Sequence, residues 1–330
     1  MKAAQTRRYQ NNIPGVVARI DHVLDRQRLV PMVSPGAFIR DHHGKKHRYT
    51  SACRTRDGSK VIFYARLHKN MDARQKFRRE ILFLRSLERS ASPLRKYVPK
   101  LYASSTVHDR EWFTREYLQA PALGSVHLAD RPLGTTDVPR IIQLFSALRH
   151  IPDNRLFRPL ERRGGDFYLN MTEGCLRTAS KLFTRKENAG IHHMMHDAYD
   201  LLDAHAKYRV HGDCHPGNIL ITPTKIYLID WELLHINNRV NDIAYFYAGL
   251  AEHPVFRKKL ISSFERSIEW KEEFRTLFPV VASFFSINHL CTLLQDKPDD
   301  LSEHDRTRVM SYARAIVKSS LNGYTTVAKL

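Results

Sequence analysis

The period of the apolar positions changes several times along the chain. Tyr49 to Thr55 and Lys60 to Leu67 are β-rich runs on either side of Arg56-Asp57-Gly58-Ser59, and an Asp-Gly between two such runs predicts a hairpin. From Asp72 to Leu87 the period lengthens, with Phe77, Ile81, Leu84 and Leu87 on one helical face. Val98 to Ala103 and Glu111 to Leu118 read as two more strands, the second running into Gln119-Ala120-Pro121-Ala122. Beyond that connection the pattern is mainly helical. Val138, Ile141, Ile142, Phe145 and Leu148 mark one helix, with Asp137 as N-cap and Pro139 in the first turn. Met194, Ala198, Leu201, Leu202 and His205 mark another, and Asp242 to Leu250, Val255 to Phe264 and Val280 to Leu294 continue the series. The last helix starts near Ser302, which pairs with Asp305 in a capping-box-like arrangement and precedes buried Val309, Tyr312, Ala313 and Ile316. Residues 152–190 give no clear period.

These elements predict an α+β chain in two parts: a β-rich residues 1–118 with one helix, and a mainly helical residues 119–330. At 42% hydrophobic residues and without a low-complexity tract, the chain has ample core, which excludes disorder as its main description. Cys53, Cys175, Cys214 and Cys291 are far apart and form no C-x-x-C pair, which argues against a zinc ribbon or a disulfide framework. No signal peptide is readable after Met1, and the most apolar run, Val280 to Ile287, is short for a membrane span. The expected location is the cytoplasm.

Charge divides the chain unevenly. Residues 1–118 carry 26 Lys+Arg against 10 Asp+Glu, whereas the rest carries 27 against 24. A positive potential over the first part would attract an anionic partner such as a nucleic acid; the alternative is a solubilising surface.

Candidate chemistry concentrates in His211-Gly212-Asp213-Cys214-His215-Pro216-Gly217-Asn218 and in Asp230-Trp231-Glu232. Between them, Ile219 to Thr222 and Ile226 to Ile229 form two apolar strands joined across Pro223-Thr224. A hairpin centred there sets Gly217 opposite Asp230 and leaves Asn218 about one ladder step from Asp230. The preceding loop delivers Asp213 to the same edge. One charged and one neutral oxygen ligand suit a hard cation such as Mg²⁺, and a separate carboxylate can accept a hydroxyl proton. The D-x-x-x-x-N spacing from Asp213 to Asn218 is the one protein kinases use. A plain turn would need Asp, Pro, Gly and Asn, but neither the His-Gly-Asp lead nor a second Asp past a hairpin. His211 is expected to brace the loop backbone, and His215 to serve as packing.

Together with Asn241-Asp242-Ile243-Ala244, these motifs resemble the aminoglycoside phosphotransferase/choline kinase family of the protein-kinase-like fold. The resemblance implies a small β-rich N-lobe and a larger helical C-lobe. It also implies Asp213 as catalytic base, Asn218 and Asp230 as Mg²⁺ ligands, and Asp242 as a residue pinning the following helix.

The same plan asks for a cation on the third strand and a carboxylate on the helix. Arg66 lies where the family usually has Lys, and Glu80 lies on an apolar helix face, which suggests an Arg66–Glu80 ion pair. Exposure of both residues is the alternative. Glu116-Tyr117-Leu118 matches the segment expected to hold adenine. Asp41 to Arg48 has one glycine and no G-x-G-x-x-G, so it is either a cationic cover for phosphates or a basic surface hairpin.

Two functions follow. One is an ATP- and Mg²⁺-dependent kinase that phosphorylates a hydroxyl of a small molecule. The near-neutral second part points away from a polycationic aminoglycoside, toward a neutral or anionic acceptor such as a sugar or a lipid- or nucleic-acid-linked hydroxyl. The other is an idle kinase-like binding protein that holds an acidic partner through its basic lobe.

Overall fold

The computed structural model describes residues 13–32, 37–40, 46–66, 71–107, 111–153, 159–295 and 301–330. The chain divides into two compact units, residues 1–91 with 99–119 and residues 92–98 with 120–330. Residues 92–98, counted from sequence with the first part, pack in the second unit. There Ser92 Oγ donates to the His150 carbonyl at 2.6 Å and Leu94 is fully buried.

In the first unit, the strands are β1 (Val30–Pro31), β2 (Ala37–Arg40), β3 (Lys46–Arg54), β4 (Lys60–Arg66), β5 (Leu101–Ser105) and β6 (Trp112–Glu116). Among the described residues they form an antiparallel sheet in the order β1-β3-β4-β6-β5, with β2 also on β3. The expected β3–β4 hairpin turns at Gly58, whose φ of +85° is the left-handed conformation that favours glycine. Side-chain alternation gives the sheet two faces. Tyr49, Cys53, Val61, Phe63 and Ala65 form a cluster with Ile20 and Leu24 of α1 (Ile13–Arg26), a helix the sequence reading missed. On the opposite face Tyr64 stacks on its cross-strand neighbour Phe113 at 4.8 Å, and Phe77 of α2 (Met71–Glu88) packs against Phe113. Arg48 and Arg66, directly paired across β3 and β4, share this second face. The expected phosphate cover lies mostly outside the described residues, at positions 41–45.

The second unit is helical. Its helices are α3 (Val138–Leu148), α4 (Gly165–Ala179), α5 (Arg185–Asp197), α6 (Tyr199–His205), α7 (Asn241–Ala248), α8 (Pro254–Ser267), α9 (Lys271–Gln295), α10 (Glu303–Ser320) and α11 (Tyr324–Val327). Ser302 caps α10 as expected, accepting the Asp305 N–H at 3.1 Å. Asp137 differs. It precedes α3, but its carboxylate takes the Gly134 N–H and Arg140 instead of capping the helix. The single helix expected across Met194 to His205 is two, α5 and α6, which meet at Ala198. By length and composition α9 is apolar enough to cross a membrane, yet 83% of its most apolar window is buried inside this fold. It is longer than its apolar run suggested because its polar first turns flank that core. Two short ribbons complete the unit: β7 (Tyr208–Val210) with β10 (His235–Asn237), and β8 (Ile219–Ile221) with β9 (Ile226–Leu228).

Candidate active site

The β8–β9 ribbon has the register its turn dictates, with Ile219 opposite Leu228 and Ile221 opposite Ile226. The Ile229 N–H donates to the Asn218 carbonyl at 3.0 Å, so pairing extends one residue beyond the ribbon. That bond brings the backbone of Asn218 next to the start of the Asp230 turn. Asp230 has φ +66°, in the left-handed region that Asp tolerates better than most residues. Trp231, 1% exposed, anchors the turn by donating its indole N–H to the Leu228 carbonyl.

The loop that carries Asp213 is held from behind. Asp242, at the start of α7, accepts the N–H groups of His211 and Gly212, both at 2.9 Å. Gly212 has φ +82°, and a Cβ there would lie 2.4 Å from the His235 ring, so both conformation and space require glycine. A buried amide network supports Asp242: Asn241 donates to it at 3.1 Å, Asn237 donates to Asn241, and Tyr168 and Asn238 close the circuit. His211 braces the loop as expected. Its Nδ1 accepts the Asp213 N–H, which leaves Nε2 as the donor to the Ile229 carbonyl at 3.0 Å. Burial lowers the pKa of His211 and keeps its ring neutral.

Asp213 itself is positioned by three groups. Asn218 Nδ2 donates to both its carbonyl (2.9 Å) and its carboxylate (3.0 Å). His215 Nε2 stands 3.5 Å from the same carboxylate, while its Nδ1 accepts the Gly217 N–H. His215 is therefore more than packing: it sits against the expected base. Tyr245, which the sequence reading missed, is the third group, and burial followed by the Asp213 charge raises its pKa well above the ordinary range. Burial alone would raise the Asp213 carboxyl. The His215 contact and the Asn218 amide outweigh it, so the pKa is lowered. With its side chain 20% exposed, Asp213 is both ionised at neutral pH and reachable.

The residues present fit a divalent cation. Asn218 spends its amide nitrogen on Asp213, which directs its oxygen elsewhere, and Asp230 supplies a carboxylate one register step away. An amide oxygen with a carboxylate is the hard donor set that Mg²⁺ takes. Among the described residues, no group of three or more His, Cys, Asp or Glu is placed to hold a metal ion.

In the first unit the charges have partners that the sequence reading did not name. Arg66 donates through Nε (3.2 Å) and Nη2 (2.9 Å) to Glu111 Oε2, and Arg74 takes Glu111 Oε1 at 2.8 Å. Glu80, 1% exposed, receives Arg48 at 3.3 Å. The expected partners are thus each found in buried ion pairs with other residues, Glu80 with Arg48 and Arg66 with Glu111, which Arg74 shares. Neither Arg66 nor Glu80 is on the surface. Glu116 ends β6 with its N–H already given to the Lys100 carbonyl at 2.8 Å, and Tyr117 and Leu118 follow as half-buried irregular chain.

A sheet-plus-helix unit, a helical unit and an Asp-x-x-x-x-Asn loop braced by a later Asp define a kinase-like protein. Residues 42–272 match the model of the phosphotransferase enzyme family, APH, and the chain belongs to that family. No curated protein matches the sequence. Similar solved structures include a thermostable mutant of the aminoglycoside phosphotransferase APH(4)-Ia with ADP and hygromycin B. It has 11% identity and a TM-score of 0.56, covering 90% of this chain and 97% of that one. The macrolide 2'-phosphotransferase MphH from Brachybacterium faecium shows 13% identity and a TM-score of 0.54, with 90% and 95% covered. The aminoglycoside 2'-phosphotransferase-IIIa with GDP gives 13% and 0.58, with 88% and 93% covered. At these identities the likeness shows a shared fold.

Proposed function

We propose that this chain is an ATP- and Mg²⁺-dependent phosphotransferase that phosphorylates a hydroxyl of a small molecule. The carrying observation is Asp213: ionised, reachable, and oriented by the Asn218 amide. Asp213 takes the hydroxyl proton as the acceptor oxygen bonds to the γ-phosphorus and the bond to the ADP oxygen breaks. Asn218 and Asp230 are the residues that would hold Mg²⁺, which neutralises charge on the phosphate oxygens when bound. In the first unit Arg66 is assigned to the nucleotide phosphates and Glu80, through its buried ion pair with Arg48, to holding the cationic face in place. Glu116, Tyr117 and Leu118 are assigned to the adenine, with Glu116 restricted to its carbonyl because its N–H is spent.

The double engagement of Glu111 favours a second reading, in which Arg66 is purely structural and the chain only binds. A screen of hydroxyl acceptors for Mg²⁺-dependent ATP consumption separates the two, with Asp213→Asn as the blank. Acceptor-dependent turnover lost in Asp213→Asn supports the phosphotransferase. Equal turnover in that variant refutes the base assignment, and none with any acceptor supports the binder.

A further inference from the structure

Linked to Asp213 through two intervening rings lies a buried polar group that the phosphotransfer chemistry leaves unused. His289, on α9, is 3% exposed, and neither ring nitrogen has a hydrogen-bond partner among the described residues. Its ring meets His127 edge-on at 4.9 Å and stands 5.8 Å from Tyr245. Tyr245 stacks on Phe285 at 4.3 Å and lies 5.8 Å from His215, whose Nε2 is 3.5 Å from the Asp213 carboxylate. His289, Tyr245 and His215 thus form a continuous row from α9 to the base. His127 is brought to this row by a segment clamped on the catalytic loop, for Ser125 accepts the Gly217 N–H at 3.0 Å and Ala122 bridges Leu220.

Burying two polar ring atoms without partners is costly, and a native structure keeps such an arrangement where something else supplies the partners. Burial, with the neighbouring His127 and His215 rings, lowers the pKa of His289 well below its ordinary value, so the ring is uncharged. A neutral imidazole presents one N–H and one lone pair. Alcohols match both, because each hydroxyl donates and accepts. An ammonium donates only, and would leave the N–H without an acceptor.

We propose that His289, flanked by His127 and Tyr245, is the recognition group for a second hydroxyl of an uncharged, polyhydroxylated acceptor whose reacting hydroxyl lies at Asp213. This rests on the phosphotransferase reading and narrows its substrate class. His289 is a specificity residue: it touches the acceptor away from the reacting atom.

The test uses the full chain labelled with ¹⁵N-histidine, titrated with D-glucose, D-ribose, myo-inositol and, as the polycation, an aminoglycoside. At least one polyol should shift both His289 ring nitrogens, and the aminoglycoside should shift neither. His289→Leu should weaken that polyol's binding, and raise its KM, by at least about tenfold. His289→Gln keeps a donor and an acceptor and should restore most of the loss, which also covers a Leu variant that fails to fold. The proposal is overturned if no polyol moves the His289 signals, if the aminoglycoside moves them instead, or if the Gln variant is as impaired as a folded Leu variant. Binding is read here without ATP, so the two readings fail separately. Polyol binding through His289 without phosphoryl transfer refutes the kinase alone, and transfer with unchanged acceptor KM in His289→Leu refutes this proposal alone.

Discussion

The two units hold their charged groups by opposite means. In the second, Asp213, Asn218, Asp230 and Asp242 come from one stretch of chain, and much of the positioning runs through the backbone of that stretch: the His211 and Gly212 N–H groups on Asp242, the Ile229 N–H on the Asn218 carbonyl, and the Asn218 amide on the Asp213 carbonyl. In the first, side chain grips side chain across the fold, as when Arg66 reaches Glu111, 45 residues on, and Arg48 reaches Glu80. A locally braced site keeps its geometry as long as its loop and hairpin form. A cluster of buried ions depends on every member, because removing one leaves another charge uncompensated.

Glu111→Gln puts the largest strain on this contrast. It removes the charge shared by Arg66 and Arg74 and should destabilise the first unit by about 3–5 kcal/mol, read as a lower urea midpoint. A loss below about 1 kcal/mol would show that the cluster behaves like an exposed ion pair. Asp242→Asn challenges the other side. Hydrogen bonds to a charged group contribute about 1.5–3 kcal/mol, so converting this carboxylate, which takes two backbone N–H groups, should cost about that much in a thermal or urea melt. Turnover should fall with it, since the loop carrying Asp213 loses its anchor. An unchanged melt would mean that the Asn237–Asn241 network holds the loop unaided.

The same contrast explains what could be read from sequence. Pro223-Thr224 between two apolar runs fixes the β8–β9 register within a few residues, so the approach of Asn218 to Asp230 was legible. The Ser302 cap was legible for the same local reason. Asp242 was singled out by the family resemblance, which assigned it to the following helix, whereas its carboxylate holds the His211-Gly212 backbone far upstream. Glu111 was not legible. Opposing it to Arg66 requires the β4–β6 register, with Ala65 across from Trp112, and no turn in the sequence sets that pairing. Tyr245 carried a usable signal, three residues after Asp242 on the same helix face. So did α5, since Thr184 and Glu187 form a complete capping box inside the stretch that showed no clear period. Helix α4 hid because Tyr168, Thr172 and Cys175 mix polar atoms into its buried stripe, whereas α1 was readable, since Ile13, Val16, Val17, Ile20, Val23 and Leu24 recur at helical spacing along its whole length.

Smaller effects sharpen the contrast further. His211 and His289 both have pKa values lowered by burial from the ordinary 6.5. The stability they contribute is therefore complete above pH 6.5 and is lost as pH falls through the lowered values. Melting temperature should drop as the buffer is taken from neutral to acid, and His289→Leu should flatten that slope; an equally steep slope in the variant would assign the effect to other groups. Smallest is the charge of the first part. If its 26 Lys+Arg against 10 Asp+Glu grip a polyanion, retention on heparin should fall steeply with salt. Absent or salt-insensitive retention leaves solubility as their role.

The central claim is that the loop and the hairpin together hold a divalent ion and its phosphates beside Asp213. Titration calorimetry of ATP with and without Mg²⁺ tests it most directly, on the native chain, Asp213→Asn and Asp230→Ala. Asp230→Ala should lose most of the Mg²⁺-dependent gain in ATP affinity, whereas Asp213→Asn should retain it. Native MgATP affinity in Asp230→Ala would contradict the account.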